Sequence, residues 1–177
     1  MKYQGPILLF ILILAVIGIS GFIYLTANSQ KSFSDGSIAF NYPESFQNST
    51  SPEIIKPESW IHLITLNDDT TIIYVQKNEN ITDIDNARKT FENAFKTGGF
   101  NGEILSSTEE TNPDGVEMLE CIYTIIDPNN NQKLKYVYLY FKDKKGTIYN
   151  IIIYDYELNY DKVSNVADII FNSLTLI

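Results

Sequence analysis

The sequence predicts one α+β domain behind an N-terminal transmembrane helix. Three observations carry this prediction. The segment Ile7–Leu25 contains no charged residue and consists mostly of Ile, Leu, Val and Phe. Downstream, several segments alternate apolar and polar residues with a period of two, whereas two others have a period of about 3.6. Short connections between the strands favour an antiparallel sheet of about six strands, flanked by the helices.

The apolar segment is long enough to cross a bilayer. At about 1.5 Å per residue it spans roughly 28 Å, close to the hydrocarbon core of about 30 Å. Lys2 precedes it and the next charge is Lys31, so the N-terminus should be cytoplasmic and the domain extracytoplasmic, in a single pass of the cell membrane. A cleaved signal peptide is the alternative, but no A-x-A pattern follows. The predicted organisation is an anchor at 1–25, a linker at 26–34 and one domain at 35–177.

Strands follow in order after the linker. Pro43 should end the first of them, because proline has no N–H to donate. Asn67-Asp68-Asp69 suits a tight hairpin. In the strand of residues 135–141, tyrosines alternate with Val, Leu and Phe, so both faces are apolar, as in a central strand. The predicted strands are Ser37–Tyr42, Trp60–Leu66, Thr70–Lys77, Val116–Ile126, Leu134–Phe141 and Thr147–Tyr154, with a weaker one at Ile104–Thr108.

Two amphipathic helices are predicted. The first runs from Thr82 to Gly98, with Thr82 and Asp85 as a capping box and Gly98-Gly99 at its end. The second runs from Asp161 to Ser173. The first presents Ile84, Ala87, Phe91, Ala94 and Phe95 on one face, and the second presents Val163, Val166, Ala167, Ile170 and Leu174.

Several short sequence pieces follow one another in a fixed order along the domain. They are Gly36-x-x-x-Phe40-x-Tyr42-Pro43-x-x-Phe46, the helix ending at Gly98, Gly115-x-Glu117, Lys145-Gly146-x-x-Tyr149-x-Ile151 and Ser173-Leu174. In this order the chain resembles the PsbP-like family, which includes a Ran-binding protein of the same fold. The resemblance implies an α-β-α sandwich with a scaffolding or assembly role, usually without catalysis, and it transfers no site residues. No cofactor is predicted, and the abundance of Asn, Ile, Lys and Tyr suits an archaeal member.

The net negative charge restricts the classes of molecule that the domain is expected to bind. All 22 acidic residues follow Leu25, but only 12 of the 13 basic ones do. This balance argues against nucleic acid and anionic lipid, and favours solubility outside the cell or attraction of cations or a basic partner. Cys121, the only cysteine, cannot form an intramolecular disulfide, and its alternating context predicts a buried side chain.

The sequence contains few of the residues that usually act in catalysis or bind metal ions. With His62 as the only histidine and Cys121 as the only cysteine, a zinc site of ordinary ligands cannot be assembled. A serine triad would have to use His62, but the sequence contains no G-x-S-x-G elbow to present the serine. Asp127-x-Asn129-x-Asn131 begins like a calcium loop, but Gln132 replaces the required glycine, which favours a polar hairpin turn. Asp155-Tyr156-Glu157 and Asp161 are expected to cap a helix start.

Two N-glycosylation sequons begin at Asn48 and Asn80, both in predicted loops. Aromatic residues left uncovered by a helix would form an apolar groove. The sequence therefore predicts a non-enzymatic, membrane-anchored, extracytoplasmic domain that binds a protein or an envelope component. A module for a small ligand or cation is the alternative, and an enzyme ranks third.

Overall fold

The computed structural model describes residues 29–50, 59–97, 102–127 and 130–177. The predicted anchor at 1–25 lies outside these ranges. Among the described residues, no helix is long and apolar enough to span a membrane.

The strands are β1 (Gln30–Ser34), β2 (Ile38–Pro43), β3 (Gln47–Asn48), β4 (Ile61–Asp68), β5 (Thr71–Asn78), β6 (Gly102–Thr111), β7 (Glu117–Ile126), β8 (Lys133–Lys142), β9 (Ile148–Tyr156) and β10 (Thr175–Leu176). The helices are α1 (Ile84–Thr97), a 3-10 turn (Glu157–Asn159) and α2 (Tyr160–Ser173).

The described strands form two antiparallel sheets. Seven strands make the main sheet, in the order β3-β4-β5-β9-β8-β7-β6, and β2 lies between β1 and β10 in a small second sheet. The prediction of one sheet with about six strands was therefore wrong. Its first strand, Ser37–Tyr42, became β2, which pairs outside the main sheet, and the two-residue strands β3 and β10 are too short to show a period.

Part of the predicted linker is a strand. Gln30–Ser34 pairs with β2, so the folded domain begins before residue 35. The Phe33 ring lies 5.1 Å from that of Phe40, and Lys31 Nζ donates to the Phe46 carbonyl at 3.1 Å. Phe33 is the only apolar residue of this strand, and one apolar residue cannot establish an alternation.

The first helix begins at a different cap from the predicted one. Asp83 Oδ1 accepts a hydrogen bond from the Asn86 amide at 2.9 Å, whereas Asp85 forms ion pairs with Arg88 and Lys89. Asp83 is thus the capping residue, and its side chain satisfies one of the free amides of the first turn. The predicted capping box of Thr82 and Asp85 was wrong, and Gly98-Gly99 lies outside the described residues.

The main sheet carries a core on each face. On the α2 face, Val137, Leu139 and Phe141 of β8 pack in one cluster with Val163, Val166, Ala167 and Ile170 of α2 and with the small sheet. On the α1 face, Tyr138 and Tyr140 of β8 pack in a second cluster with Ala87 and Phe91. This alternation confirms β8 as a central strand covered on both sides, and it confirms the inner face predicted for α2.

One buried asparagine joins the β6–β7 turn to the end of α2. Asn112 Nδ2 donates to the carbonyls of Phe171 and Leu174, at 3.0 and 2.7 Å. Its Oδ1 accepts from the amides of Asp114 and Val116, at 3.1 and 2.8 Å. The side chain therefore satisfies four backbone groups, two of which are carbonyls at a helix end that lack partners within the helix.

Candidate functional site: the trough between α1 and β6

Strand β6 is an edge of the main sheet. It pairs with β7 on one side, and no described strand pairs with its other side. All but one of its residues are exposed, including Ile104 and Leu105 at 44% and 48%. A bulge lies between Ile104 and Ser106. Sequence alternation detected only a weak strand here because neither face of β6 is covered by a core.

Helix α1 leaves this end of the sheet open. Of its described side chains, Ala87 and Phe91 are buried, and the ring of Phe91 lies near Tyr138 and Tyr140 of β8. Two cavities, of about 680 and about 340 Å³, therefore lie between the flank of α1 and strands β6 and β7. We call them together the trough. The first is lined by Asp83, Ile84, Asp85, Arg88, Ser107, Glu109, Glu110, Thr111, Glu117, Met118, Leu119 and Lys142, and the second by Glu92, Lys96, Gly102, Glu103, Ile104, Tyr123 and Ile125.

Carboxylates dominate the larger cavity. Asp83, Asp85, Glu109, Glu110 and Glu117 line it, with Arg88 and Lys142 as the cations. Arg88 Nη2 lies 2.6 Å from Asp85 Oδ1, and its Nη1 contacts Glu92. The hydrogen bond to Asp85, together with the charge of Glu92, raises the pKa of Arg88 above its ordinary value. Because this guanidinium is already neutralised within α1, the trough presents a negative surface.

The phenol of Tyr123 lines the trough, and a buried thiol lies next to the lining residue Ser107. Cys121 is buried, as the sequence predicts, and its Sγ lies 3.5 Å from Ser107 Oγ. Tyr123 donates a hydrogen bond to Glu92 at 3.3 Å. Burial raises the pKa of the Cys121 thiol and that of the Tyr123 phenol. Both groups are therefore protonated at neutral pH.

The predicted candidates for chemistry lie elsewhere and are not brought together. The His62 ring packs 4.7 Å from that of Tyr74, and its Nε2 lies 3.0 Å from Thr65 Oγ1. Asp127 and Asn131 belong to the β7–β8 turn, where the Asn131 amide donates to the Asp127 carbonyl at 2.8 Å. Asn129 lies outside the described residues. Within the described ranges, no group of three His, Cys, Asp or Glu side chains is placed to hold a metal ion.

Asp155 does not cap a helix, contrary to prediction. It is buried in β9, where its Oδ2 accepts hydrogen bonds from Thr70 and Thr71 at 2.9 and 2.6 Å. These hydrogen bonds link the β4–β5 turn to the central strand β9. Glu157 and Asp161 do lie in the first turns of the 3-10 helix and of α2.

Both sequon asparagines are exposed. Asn80 follows β5 in a loop, whereas Asn48 lies in the short edge strand β3 and not in the predicted loop. Glycosylation at Asn48 and Asn80 stays a prediction, which the intact mass of the native protein would test.

Phe91 of α1 packs on Tyr138 and Tyr140, so these two sheet tyrosines do not form the predicted apolar aromatic groove. The α1 face instead buries polar groups. Gln76, Asn150 and Tyr140 lie directly opposite one another across β5, β9 and β8. Gln76 Nε2 donates to Asn150 Oδ1 at 3.1 Å. Among the described residues, the buried atoms Trp60 Nε1, Gln76 Oε1, Asn150 Nδ2 and the Tyr140 hydroxyl have no hydrogen-bond partner.

Removing one of these polar atoms should not destabilise the domain. We expect Tyr140→Phe to leave the unfolding free energy unchanged or to raise it by up to about 1 kcal/mol, because a buried hydroxyl without a partner is unfavourable. The measurement is denaturant unfolding of the full chain in detergent. A loss of stability would show that the hydroxyl has a partner, such as a buried water.

Tyr149→Phe is the matched control. The Tyr149 hydroxyl donates to Asp35 Oδ2 at 2.8 Å. Although partial burial opposes it, hydrogen bonds from the Ser37 amide and this hydroxyl lower the pKa of Asp35. We expect the substitution to cost about 1 kcal/mol at neutral pH. A carboxyl with a depressed pKa stabilises the fold only in its ionised form, so the cost should vanish as pH falls through the Asp35 pKa.

The comparisons with known proteins concern the fold. No family model matches the sequence, and no curated protein matches it significantly. The Ran-binding protein Mog1p of Saccharomyces cerevisiae superposes with a TM-score of 0.55 at 13% identity, over 84% of this chain and 95% of that chain. A mutant of Mog1 gives 0.55 at 15%, over 84% and 96%. LpqN, involved in cell envelope biogenesis of Mycobacterium tuberculosis, gives 0.46 at 12%, over 86% and 94%. The chain thus has the Mog1/PsbP-like α+β fold that its sequence predicts.

Proposed function

We propose that this chain is a non-enzymatic binding or scaffold domain that holds a protein partner in the trough between α1 and β6. The observation that carries the proposal is the juxtaposition of a carboxylate-lined cavity of about 680 Å³ with an exposed strand edge. Such a surface offers charge, hydrogen bonds and some apolar area to a macromolecule. We propose no cofactor.

The fold and the sequence support a protein as the partner. Mog1p, which shares the fold, is a Ran-binding protein. A net charge of −9 disfavours nucleic acid and anionic lipid as partners. For this chain the partner class is a protein of the cell envelope or of a membrane complex.

The apolar segment at residues 7–25 supports a membrane location for this protein. We propose that it is retained as a single-pass anchor, with the N-terminus in the cytoplasm and the domain outside. The archaeal origin stays a prediction. Retention in the membrane after alkaline carbonate washing tests the anchor, and recovery of the protein in the soluble fraction would contradict it.

Site-specific photocrosslinking of the full chain in its native membrane tests the partner site. A photoreactive residue at Thr111, exposed at the rim of the trough, should yield one reproducible, near-stoichiometric adduct with a second protein. The same residue at Asn159, exposed after β9, serves as the control and should not yield this adduct. Equal capture at both positions would contradict the trough as the site, and no adduct at any position would contradict protein binding.

A small-ligand module is the second candidate. The partnerless buried atoms of Gln76, Asn150, Tyr140 and Trp60 favour it, because buried polar groups normally have hydrogen-bond partners. A ligand that binds only the folded state would raise its melting temperature in proportion to the logarithm of ligand concentration. Thermal-shift screening of the full chain in detergent tests this candidate, and the absence of any dose-dependent shift would count against it.

A further inference from the structure

The outer side of β6 is a long row of backbone groups that no described strand pairs. Natural edge strands are typically kept short, covered, charged, bulged or blocked by proline, because an open edge accepts another strand. The bulge of β6 lies between Ile104 and Ser106, so residues 106–111 form the regular part of this edge. β6 is ten residues long, contains no proline and is exposed on both faces. By contrast β3, at the opposite edge of the main sheet, has two residues. The two edges of the sheet therefore differ in their capacity to accept a further strand.

The charge around this edge has one sign. Residues 102–117 contain no Lys or Arg, and their carboxylates are Glu103, Glu109, Glu110, Asp114 and Glu117. The pairing of β6 with β7 places carboxylates on both faces of β6. Glu109 lies opposite Leu119 on the α1 face, and Glu110 lies opposite Met118 on the α2 face. A strand added at the edge would therefore meet carboxylates on whichever face its side chains project.

We propose that β6 binds an extended, basic segment of a protein partner by strand addition. The backbone of the segment pairs with the outer edge of β6, and its Lys or Arg side chains contact Glu109 or Glu110, depending on the face to which they project. Backbone pairing supplies affinity in such complexes, and the alternate side chains supply specificity. This inference rests on the proposed function and specifies the chemistry of the partner.

A second copy of the chain fits the edge less well. Antiparallel pairing of two β6 strands over their full length would bring Glu103 of one copy near the Glu109–Glu110 pair of the other. Like charges directly opposite each other in a sheet are destabilising. Charge complementarity therefore favours a basic strand over a homodimer.

The test uses the full chain in detergent and a synthetic twelve-residue peptide of alternating Lys and Val. Hydrogen exchange of residues 102–111 should slow when this peptide binds. Two control peptides keep the length. One replaces every Lys by Glu. The other keeps the side chains but carries an N-methyl group on every backbone amide, so neither of its edges can donate hydrogen bonds. We expect both controls to bind at least about tenfold more weakly, because each lacks one of the two required interactions.

Charge reversal locates the site. The double variant Glu109→Lys with Glu110→Lys should weaken binding of the Lys-Val peptide by about tenfold or more. Its control, Glu44→Lys with Glu157→Lys, changes the net charge equally at exposed residues outside the trough and should alter binding by less than about twofold. Both double variants should melt within a few degrees of the parent, which excludes unfolding as the cause of weaker binding.

Several outcomes would overturn the inference. Equal binding of the N-methylated peptide would show attraction by charge without strand addition. Equal effects of the two double variants would place the contact elsewhere, and slowed exchange of β6 in the free chain at high concentration would indicate a homodimer. If crosslinking at Thr111 captures a partner while the peptide leaves residues 102–111 unprotected, the proposed function stands and strand addition fails. If no position captures a partner, the proposed function itself fails.

Discussion

Asn112→Asp should destabilise the domain by about 3–5 kcal/mol at neutral pH, the cost typical of an uncompensated buried charge. The substitution removes the two N–H donors that now bind the carbonyls of Phe171 and Leu174. It also places a carboxylate beside those carbonyl oxygens, in a site where the residue is only 4% exposed. Denaturant unfolding of the full chain in detergent measures the change.

The pH dependence identifies the cause. Burial without cations should raise the pKa of the introduced carboxyl in the folded state above its unfolded value of about 3.9. The folded state then binds more protons than the unfolded state, so the stability of the variant falls as pH rises. Relative to the parent, the penalty should therefore shrink as pH decreases from 7 to 5. A penalty independent of pH would show that the lost hydrogen bonds, not the charge, are responsible.

Asn93→Asp is the matched control for this substitution. Asn93 is exposed on α1, so the same chemical change should alter stability by less than about 0.5 kcal/mol. A similar loss in both variants would indicate a general sensitivity to added negative charge.

Phe91→Ala should cost about 3–5 kcal/mol, as expected for truncation of a fully buried aromatic side chain. The Phe91 ring lies 5.0 Å from Trp60, 5.8 Å from Tyr138 and 6.2 Å from Tyr140. Among the described side chains of α1, Ala87 and Phe91 are the buried ones, and Phe91 is the larger of the two. The single tryptophan, Trp60, provides the fluorescence signal for denaturant unfolding.

Leu158→Ala is the control for the loss of apolar area. Leu158 is 99% exposed, so its truncation should change stability by less than about 0.5 kcal/mol. Hydrogen exchange adds a local measurement, because the amides of α1 should exchange faster in Phe91→Ala than those of α2. Uniform acceleration in both helices would show that α1 does not open separately from the rest of the domain.

The sequence predicts best where an element contacts a core along its whole length. The inner residues of α2 repeat with the helical period, and the alternation in β8 identifies both of its faces, because these elements contact a core along their whole length. The Asp127–Asn131 turn is likewise specified locally, by residues that tolerate the left-handed conformation: Asn131 has φ 59°.

The remaining features depend on contacts that are distant in the chain. β1 becomes a strand only because β2 is beside it, and Asp155 meets Thr70 and Thr71 across 85 and 84 residues. The trough was missed for the same reason, since an open edge is a property of strand order and not of local sequence. Its one sequence signal is the run from 102 to 117, which holds five carboxylates and no cation.

The position of β9 in the main sheet also determines the order in which the sheet can be completed. β9 is the last main-sheet strand along the chain, yet it lies between β5 and β8. Until it is available, the β4–β5 hairpin and the β6–β7–β8 meander have no strand that joins them. The β5–β9 pairing closes a long loop, a non-local step of the kind that slows folding. We therefore expect the two halves to form first and the complete sheet to appear late, only after β9 has left the biosynthetic machinery.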